Sequence, residues 1–164
     1  MKLRLSLVVA LVASLIALPV AAAQAVNHTD KEVIRVYHQA VSPTKVSGSG
    51  IGTVRTFFIP MAVNGQAADD QYLVGTLTTL TNAMANGLEL RGSDLTFVFG
   101  SEEDQIVLGG ISYYPTDGAT LAPGATTVRP VLGGSGKYEG ARGQATSINL
   151  GADGWIHTFR ISVD

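Results

Sequence analysis

Short runs of β-branched and aromatic residues, separated by tight-turn dipeptides, dominate this chain from residue 32 onward. Asn-Gly, Asp-Gly and Pro-Gly pairs stand between the runs, and such pairs favour tight reversals of the chain. The pattern predicts eight strands, at residues 32–41, 52–63, 71–84, 88–99, 105–114, 126–132, 142–150 and 155–163. Residues 67–71 and 101–105 are predicted to be polar connectors, and residues 42–52 a flexible Ser/Gly mouth loop.

The last predicted strand alternates in hydropathy, and one of its faces carries Trp155, His157, Phe159, Ile161 and Val163. Residues 105–114 are apolar on both faces and contain two adjacent glycines, which is typical of a covered and sharply curved strand. About eight antiparallel strands in one small domain predict a closed all-β barrel, with a β-sandwich as the second architecture. An eight-stranded barrel is just wide enough inside to hold one small ligand.

The first 25 residues have the pattern of a secretory signal peptide. A basic start at Lys2 and Arg4 precedes a short apolar run, and small residues allow cleavage after Ala23 or Ala25. We therefore expect a secreted or periplasmic protein with one barrel domain over residues 26–164. No other stretch reaches the ~18–20 apolar residues that a membrane-spanning helix needs, so we expect no membrane association of the mature form.

Charge and cysteine content exclude several classes of function. Without the leader, 9 of the 11 basic residues remain against 13 acidic residues, so the mature formal charge is 9 − 13 = −4. Such a chain has no basic stripe, which argues against a nucleic-acid partner. The chain contains no cysteine, which excludes thiol nucleophiles, thiolate metal sites and disulfides. The spacing of glycine, lysine, serine and histidine residues matches no nucleotide loop, serine triad or metal site.

Residues 133–145, which read GGSGKYEGARGQA, form the most glycine-dense segment. Glycine at this density marks backbone that takes positive φ or approaches another segment closely. The segment leads into a predicted strand that begins at Arg142. This arginine either lies at the surface in a solvated ion pair with Glu139 or enters the barrel interior. An arginine inside a small barrel must pair or bind a polar ligand, so Arg142 is the first candidate for chemistry.

Other candidate residues lie on predicted strands. Tyr113 and Tyr114 take opposite faces, so one of them should point inward and serve as a proton donor or an aromatic wall. Tyr37 and His38 stand in the same relation on the first strand. His157, on the apolar face of the last strand, is either a satisfied core residue or a ligand contact.

Residues 130–143, PVLGGSGKYEGARG, resemble the signature of plant dirigent proteins, and the segments LVGT at 73–76 and LTFVF at 95–99 resemble that family in the same order. The stretch GGSGKYEGARGQ is also similar to allene oxide cyclases. The resemblance covers roughly residues 31–164. It implies an eight-stranded antiparallel barrel with a hydrophobic cavity, often trimeric. Dirigent proteins hold phenoxy radicals made by a separate oxidase and fix the stereochemistry of coupling, whereas allene oxide cyclases direct a ring closure.

The resemblance implies functional roles for some residues of this chain, but one acidic residue of the dirigent pattern is missing. Arg142 matches the dirigent arginine, and either Tyr113 or Tyr114 supplies a cavity tyrosine; Phe97 and Phe99, in the second matching segment, are assigned as ligand contacts. Gln39 stands where dirigent proteins carry an acidic aspartate, so His38 is the substitute proton-transfer group and Tyr37 and Gln39 are neighbouring ligand contacts. Loss of the carboxylate argues against any acid-dependent step of either family.

Together these observations predict an exported, dirigent-like barrel that binds a small apolar or phenolic molecule and directs its stereoselective coupling or cyclisation. Arg142, His38 and Tyr113 are the catalytic candidates. The alternatives are a cyclase acting alone on a lipid or polyketide intermediate and a non-catalytic carrier of small hydrophobic molecules. No cofactor is implied, and a separate oxidase and a homotrimer are the expected partners. The prediction requires that the guanidinium of Arg142 enter a hollow lumen.

Overall fold

The computed structural model describes residues 31–40, 42–116 and 120–163, and the expected signal peptide lies outside these residues. The strands are β1 Glu32–His38, β2 Thr44–Ser47, β3 Val54–Val63, β4 Gln66–Thr79, β5 Leu88–Phe99, β6 Gln105–Pro115, β7 Thr126–Ser135, β8 Arg142–Asn149 and β9 Trp155–Ser162. Two single-turn 3-10 segments, Gly136–Tyr138 and Gly151–Asp153, are the helical structure of the described ranges. None of the helices described there is long and apolar enough to cross a bilayer.

The strands form one antiparallel sheet in the order β1-β9-β8-β7-β6-β5-β4-β3-β2. The sheet closes because β1 also pairs with β3, through Val36 opposite Val63 and Tyr37 opposite Ala62. The fold is therefore a closed eight-stranded antiparallel barrel, with the short β2 added along β3. The predicted all-β barrel is confirmed.

Several predicted boundaries are wrong; for example, the first strand ends at His38 and not at residue 41, and β7 continues to Ser135. The mouth loop at 42–52 contains β2, residues 80–84 lie beyond the end of β4, and the connector at 67–71 belongs to β4. The last error has a clear cause in the turn before it. Asn64 and Gly65 both have positive φ, at 50° and 85°, and they join Val63 directly to Gln66 across the hairpin. This two-residue turn fixes the start of β4, so polar residues that follow it remain in the strand.

The glycine-dense segment makes two close backbone approaches. Gly136 has a φ of +59°, and a Cβ there would overlap Asp104 and the backbone of Glu103. Gly143 has a φ of +139°, and a Cβ there would overlap the carbonyl oxygen of Arg160. These two positions agree with the expectation from glycine density, because a side chain at Gly136 would displace the connection before β6 and one at Gly143 would displace β9.

The barrel interior is divided along its axis. One half is filled by fifteen buried side chains from every barrel strand except β7 and from the segment before β8: Ile34, Val36, Ile59, Met61, Leu73, Leu95, Phe97, Phe99, Ile106, Leu108, Tyr138, Ala141, Ala145, Phe159 and Ile161. A smaller cluster of Leu77, Tyr114 and Leu121 lies in the other half. The filled half supplies the rigid base on which the hollow half rests.

Candidate functional site

A cavity occupies the less filled half of the barrel. The cavity opens to solvent through a mouth and has a volume of about 70 Å³. This volume is smaller than the ~150 Å³ of a cavity that takes up benzene, so a ligand would place only a small group or a chain end inside and hold its ring in the mouth. The lining residues are His38, Pro43, Phe57, Ile59, Leu73, Leu77, Leu95, Tyr114, Thr120, Arg129, Ser147, Trp155 and His157.

His157 is the most deeply set polar group of the cavity wall. The β8–β9 register places Ser147 directly opposite His157, and their Oγ and Nδ1 atoms lie 2.7 Å apart. The other ring nitrogen, Nε2, is buried and has no hydrogen-bond partner among the described residues. The ring stacks on His38, with centroids 5.1 Å apart, and meets the edge of Phe97 at 5.1 Å. The cavity therefore contains a fixed imidazole with one nitrogen unused.

His38 is also buried and has a defined tautomer. Its Nδ1 donates to the carbonyl oxygen of Gln39 over 2.7 Å, which makes Nε2 the acceptor in the neutral ring. Burial lowers the pKa of His38 below its ordinary value of 6.5, partly opposed by this hydrogen bond. Burial also lowers the pKa of His157 well below 6.5, and the charges of His38 and Arg129 add to the effect. Both rings are therefore neutral near pH 7 and able to accept a proton.

The paired histidines make the stability of the barrel depend on pH. In the unfolded chain both rings bind protons as the pH falls through about 6.5, whereas the folded rings resist protonation until a lower pH. The free energy of unfolding should therefore be highest above pH 6.5 and fall below it, by up to about 1.4 kcal/mol per pH unit for each ring. Urea unfolding between pH 8 and 5 would measure this slope. His157→Gln should flatten it, and an equal slope in both proteins would contradict the assignment.

Arg129 brings a positive charge to the cavity wall. Arg129 is 3% exposed. It lies on the inward face of β7, which it shares with Thr127 and Val131. Its Nε donates to Ser93 Oγ and its Nη2 to Tyr114 Oη, each over 3.0 Å, and its Nη1 donates to Thr127 Oγ1. All three acceptors are neutral hydroxyl groups. The guanidinium is thus held rigidly beside the cavity without charge compensation from those groups.

A second buried cluster lies behind Tyr114. Arg91, fully buried, donates from Nε to Glu89 Oε1 over 2.6 Å, and its guanidinium lies 4.6 Å from the centre of the Tyr114 ring. Thr79 donates to the same carboxylate oxygen over 3.0 Å, and Arg55 approaches that oxygen to 3.8 Å. Glu89 therefore compensates Arg91 and Arg55, and Arg91 packs against the ring of Tyr114.

The structure brings three of the sequence-predicted residues together at the cavity, namely His38, Tyr114 and His157. The first two come from β1 and β6, and the third comes from β9. Tyr114, which is 4% exposed, is the inward member of the predicted tyrosine pair. Any chemical role for the three residues stays a prediction.

The other predicted positions lie elsewhere. Arg142 is exposed at the start of β8. The inward face of that strand carries Ala145, Ser147 and Asn149, and Arg142 lies on the outward face. The expectation that its guanidinium enters the lumen is wrong, so the sequence-based ligand hypothesis, which required it, fails, and a ligand proposal must rest on the residues that line the cavity. Tyr113 is 55% exposed because it takes the outward face of β6, opposite to Tyr114.

Four further predicted contacts lie outside the cavity lining. Phe97 and Phe99 belong to the filled half of the barrel, since the inward face of β5 continues past the cavity into that core. Tyr37 and Gln39 are exposed and line a surface groove beside the cavity. The Tyr37 hydroxyl donates to the Asp153 carbonyl over 2.6 Å. These four residues are therefore placed to support the barrel or its rim.

Sequence reasoning missed Arg129, Ser147 and the Glu89–Arg91 pair. A period-two count along β5 and β7 would have put each of these charged residues on the same face as apolar core residues. That signal was present but ambiguous, because the opposite face of each strand is also partly apolar. Among the described residues, no group of three or more His, Asp or Glu side chains could hold a metal ion.

A scan of protein-family models found no match to this chain, and a search of curated proteins found none. Several solved structures are similar to it, among them the following two. One, named pyocyanin demethylase, has a TM-score of 0.57 at 16% identity and covers 80% of this chain and 99% of its own. The other, a pterocarpan synthase dirigent protein, has a TM-score of 0.53 at 15% identity and covers 80% of this chain and 87% of its own. These likenesses establish the fold of the chain, and they agree with the resemblance found in residues 130–143.

Proposed function

We propose that this dirigent-like barrel binds a small, largely apolar or phenolic molecule in its cavity and directs the stereoselective coupling or cyclisation of that molecule. The single observation that carries the proposal is the unused Nε2 of His157, a buried polar atom in a cavity with mostly apolar walls. Leaving such an atom unsatisfied costs about 1–3 kcal/mol, and nearly all buried polar atoms in native proteins have a partner. A ligand hydroxyl would supply that partner.

The cavity walls suit a planar, aromatic ligand. Phe57, Leu77 and Trp155 provide apolar surface, and Trp155 lies parallel to His157 at a centroid distance of 6.3 Å. Aromatic rings gain from such stacked contacts beyond the burial of their area. A ligand anchored at His157 and held between these walls would present one face to an incoming reactant. Fixing one orientation in this way can contribute several kcal/mol to the preferred reaction.

For a coupling reaction, the protein would do no redox chemistry. A separate oxidant would remove one electron and one proton from each phenol, and two phenoxyl radicals would then join through one new bond. The cavity would expose a single face of one radical, which decides the handedness of the product. The neutral His38 and His157 could accept a proton released when the coupled product returns to its aromatic form.

A second candidate function is a cyclase that acts without an oxidant. It is favoured by the neutral imidazole of His157 and the phenol of Tyr114, which together offer a proton acceptor and a proton donor to one cavity. The two structural neighbours are named for a demethylase and a synthase, which gives this alternative some support. A carrier without catalysis is the remaining alternative, and it would use the same cavity.

The proposal is tested by oxidative coupling of isoeugenol with peroxydisulfate, followed by chiral chromatography of the dimers. Without protein the product should be racemic, and with the purified protein one enantiomer should exceed the other. Tyr114→Phe removes a cavity hydroxyl and should reduce the enantiomeric excess at least severalfold. Tyr113→Phe makes the same change on the outer face and should leave the excess unchanged.

The same experiment distinguishes among a coupling guide, a cyclase and a carrier. A racemic product in the presence of saturating protein contradicts the coupling role. Conversion of a bound ligand without oxidant would instead support the cyclase. Recovery of the unaltered ligand from the protein, with no conversion under either condition, would support the carrier. Equal loss of enantiomeric excess in Tyr113→Phe and Tyr114→Phe would show that the cavity is not the site.

A further inference from the structure

Arginine side chains outnumber carboxylates on the described inward faces of the hollow half of the barrel. The inward-facing side chains of the hollow half include three arginines, Arg55, Arg91 and Arg129, and one carboxylate, Glu89. Glu89 contacts Arg91 at 2.6 Å and Arg55 at 3.8 Å. Among the described residues, no carboxylate forms an ion pair with Arg129. The cavity wall therefore carries an excess of positive charge at Arg129.

The hydrogen bonds of Arg129 leave donors available to a ligand. A guanidinium has five N–H groups. The bonds to Ser93, Thr127 and Tyr114 use one on each nitrogen, so one N–H on Nη1 and one on Nη2 have no acceptor among the described residues. Two terminal nitrogens of one guanidinium match the two oxygens of a carboxylate.

Tyr114 adds a further donor at the same place. Its hydroxyl oxygen accepts from Arg129 Nη2, so its own proton remains to be donated. The guanidinium of Arg91 lies 4.6 Å from the centre of the Tyr114 ring, and this cation–π contact helps to hold the phenol in place. Arg129 and Tyr114 both line the cavity, so two of its side chains have donors available to a ligand. Such a cluster matches an anionic group better than a neutral one.

We infer that the ligand is a small aromatic or apolar carboxylic acid whose ionised carboxylate pairs with Arg129 and Tyr114. This inference rests on the proposed function, because it names the substrate class of the same cavity. A buried guanidinium held by neutral groups alone is poorly compensated, and a ligand anion would complete its pairing. The cavity has room for the carboxylate, and the ring with the rest of the molecule would lie in its open mouth.

The test compares benzoate with benzamide, which has nearly the same shape and no charge. Titration calorimetry at pH 7 should give a Kd for benzoate at least about tenfold below that for benzamide, as expected for charge-assisted pairing. Arg129→Met should reduce this preference to about twofold or less. Arg142→Met removes the same charge from the outer surface and should keep the wild-type preference. Arg129→Lys should give an intermediate value, because a point charge replaces the planar fork.

Several outcomes would overturn the inference. Benzamide binding as tightly as benzoate to the unmodified protein would overturn it without any variant, which guards against a poorly folded Arg129→Met. A benzoate preference that survives in folded Arg129→Met would do the same. Binding of neutral 2-methoxyphenol without binding of benzoate would overturn the inference and leave the proposed function standing. Binding of none of the three probes would overturn both, whereas an Arg129-dependent benzoate preference with racemic coupling would overturn the coupling function alone.

Discussion

Arg91→Met is expected to lower the free energy of unfolding by about 3–5 kcal/mol, because it leaves the buried carboxylate of Glu89 without its closest partner. Arg91 is fully buried, donates to Glu89 over 2.6 Å and covers the Tyr114 ring at 4.6 Å. Arg55, at 3.8 Å from the same oxygen, is too distant to replace that bond. Chemical denaturation with urea, followed by fluorescence, would measure the loss.

A double-mutant cycle separates the ion pair from the packing of the arginine side chain. Arg91→Met combined with Glu89→Gln removes both charges, so it should cost clearly less than the sum of the two single changes. Arg142→Met, the same substitution on the surface, should change the free energy of unfolding by less than about 1 kcal/mol. A loss of under 1 kcal/mol for Arg91→Met would show that water or another group compensates Glu89 in solution.

Phe99→Ala is expected to lower the free energy of unfolding by about 3–5 kcal/mol and to leave ligand affinity unchanged. Phe99 packs edge-on against Tyr138 at 4.8 Å and Phe159 at 6.0 Å, within the filled half of the barrel. The cavity left behind would lie away from the ligand. Urea denaturation gives the stability, and calorimetric titration with benzoate or 2-methoxyphenol gives the affinity.

Phe58→Ala is the matched control, since Phe58 is 61% exposed on the outer face of β3. This change should alter the free energy of unfolding by no more than about 0.5–1 kcal/mol. If Phe99→Ala weakened binding more than tenfold while folding normally, the sequence-based assignment of Phe99 as a ligand contact would be right. Phe99 would then belong to the hollow half of the barrel and not to the filled half.

The positions of most strands could be predicted from the sequence because their signals are local. Asn64-Gly65 specifies a two-residue reversal wherever it occurs, and the alternation of Trp155, His157, Phe159 and Ile161 follows from the pleat of a single strand. The glycine-dense segment likewise marked real close approaches, at Gly136 and Gly143. The closed eight-stranded antiparallel barrel therefore agrees with the prediction, and β2 is an additional strand that was not predicted.

The candidate site was predicted only in part because period-two patterns do not say which face points inward. In β8 the inward residues Ala145, Ser147 and Asn149 are small or polar, whereas the outward face includes Ile148. Hydropathy could not choose between these faces, and Arg142 was placed on the wrong one. In β5 a single inward face runs from Glu89 and Arg91 to Phe97 and Phe99, so the pattern mixes charge with core.

The sequence alone determined that this chain is an all-β protein, that its strands reverse at defined turns, and that His157 lies on an apolar strand face. Only the tertiary structure decided that Arg129, and not Arg142, reaches the lumen, and that the lumen is hollow at one end only. The physical reason is that turns and alternation depend on neighbours in sequence. The inward direction and the filling of a barrel depend on its closure, and that is fixed by pairing between strands as distant as β1 and β9.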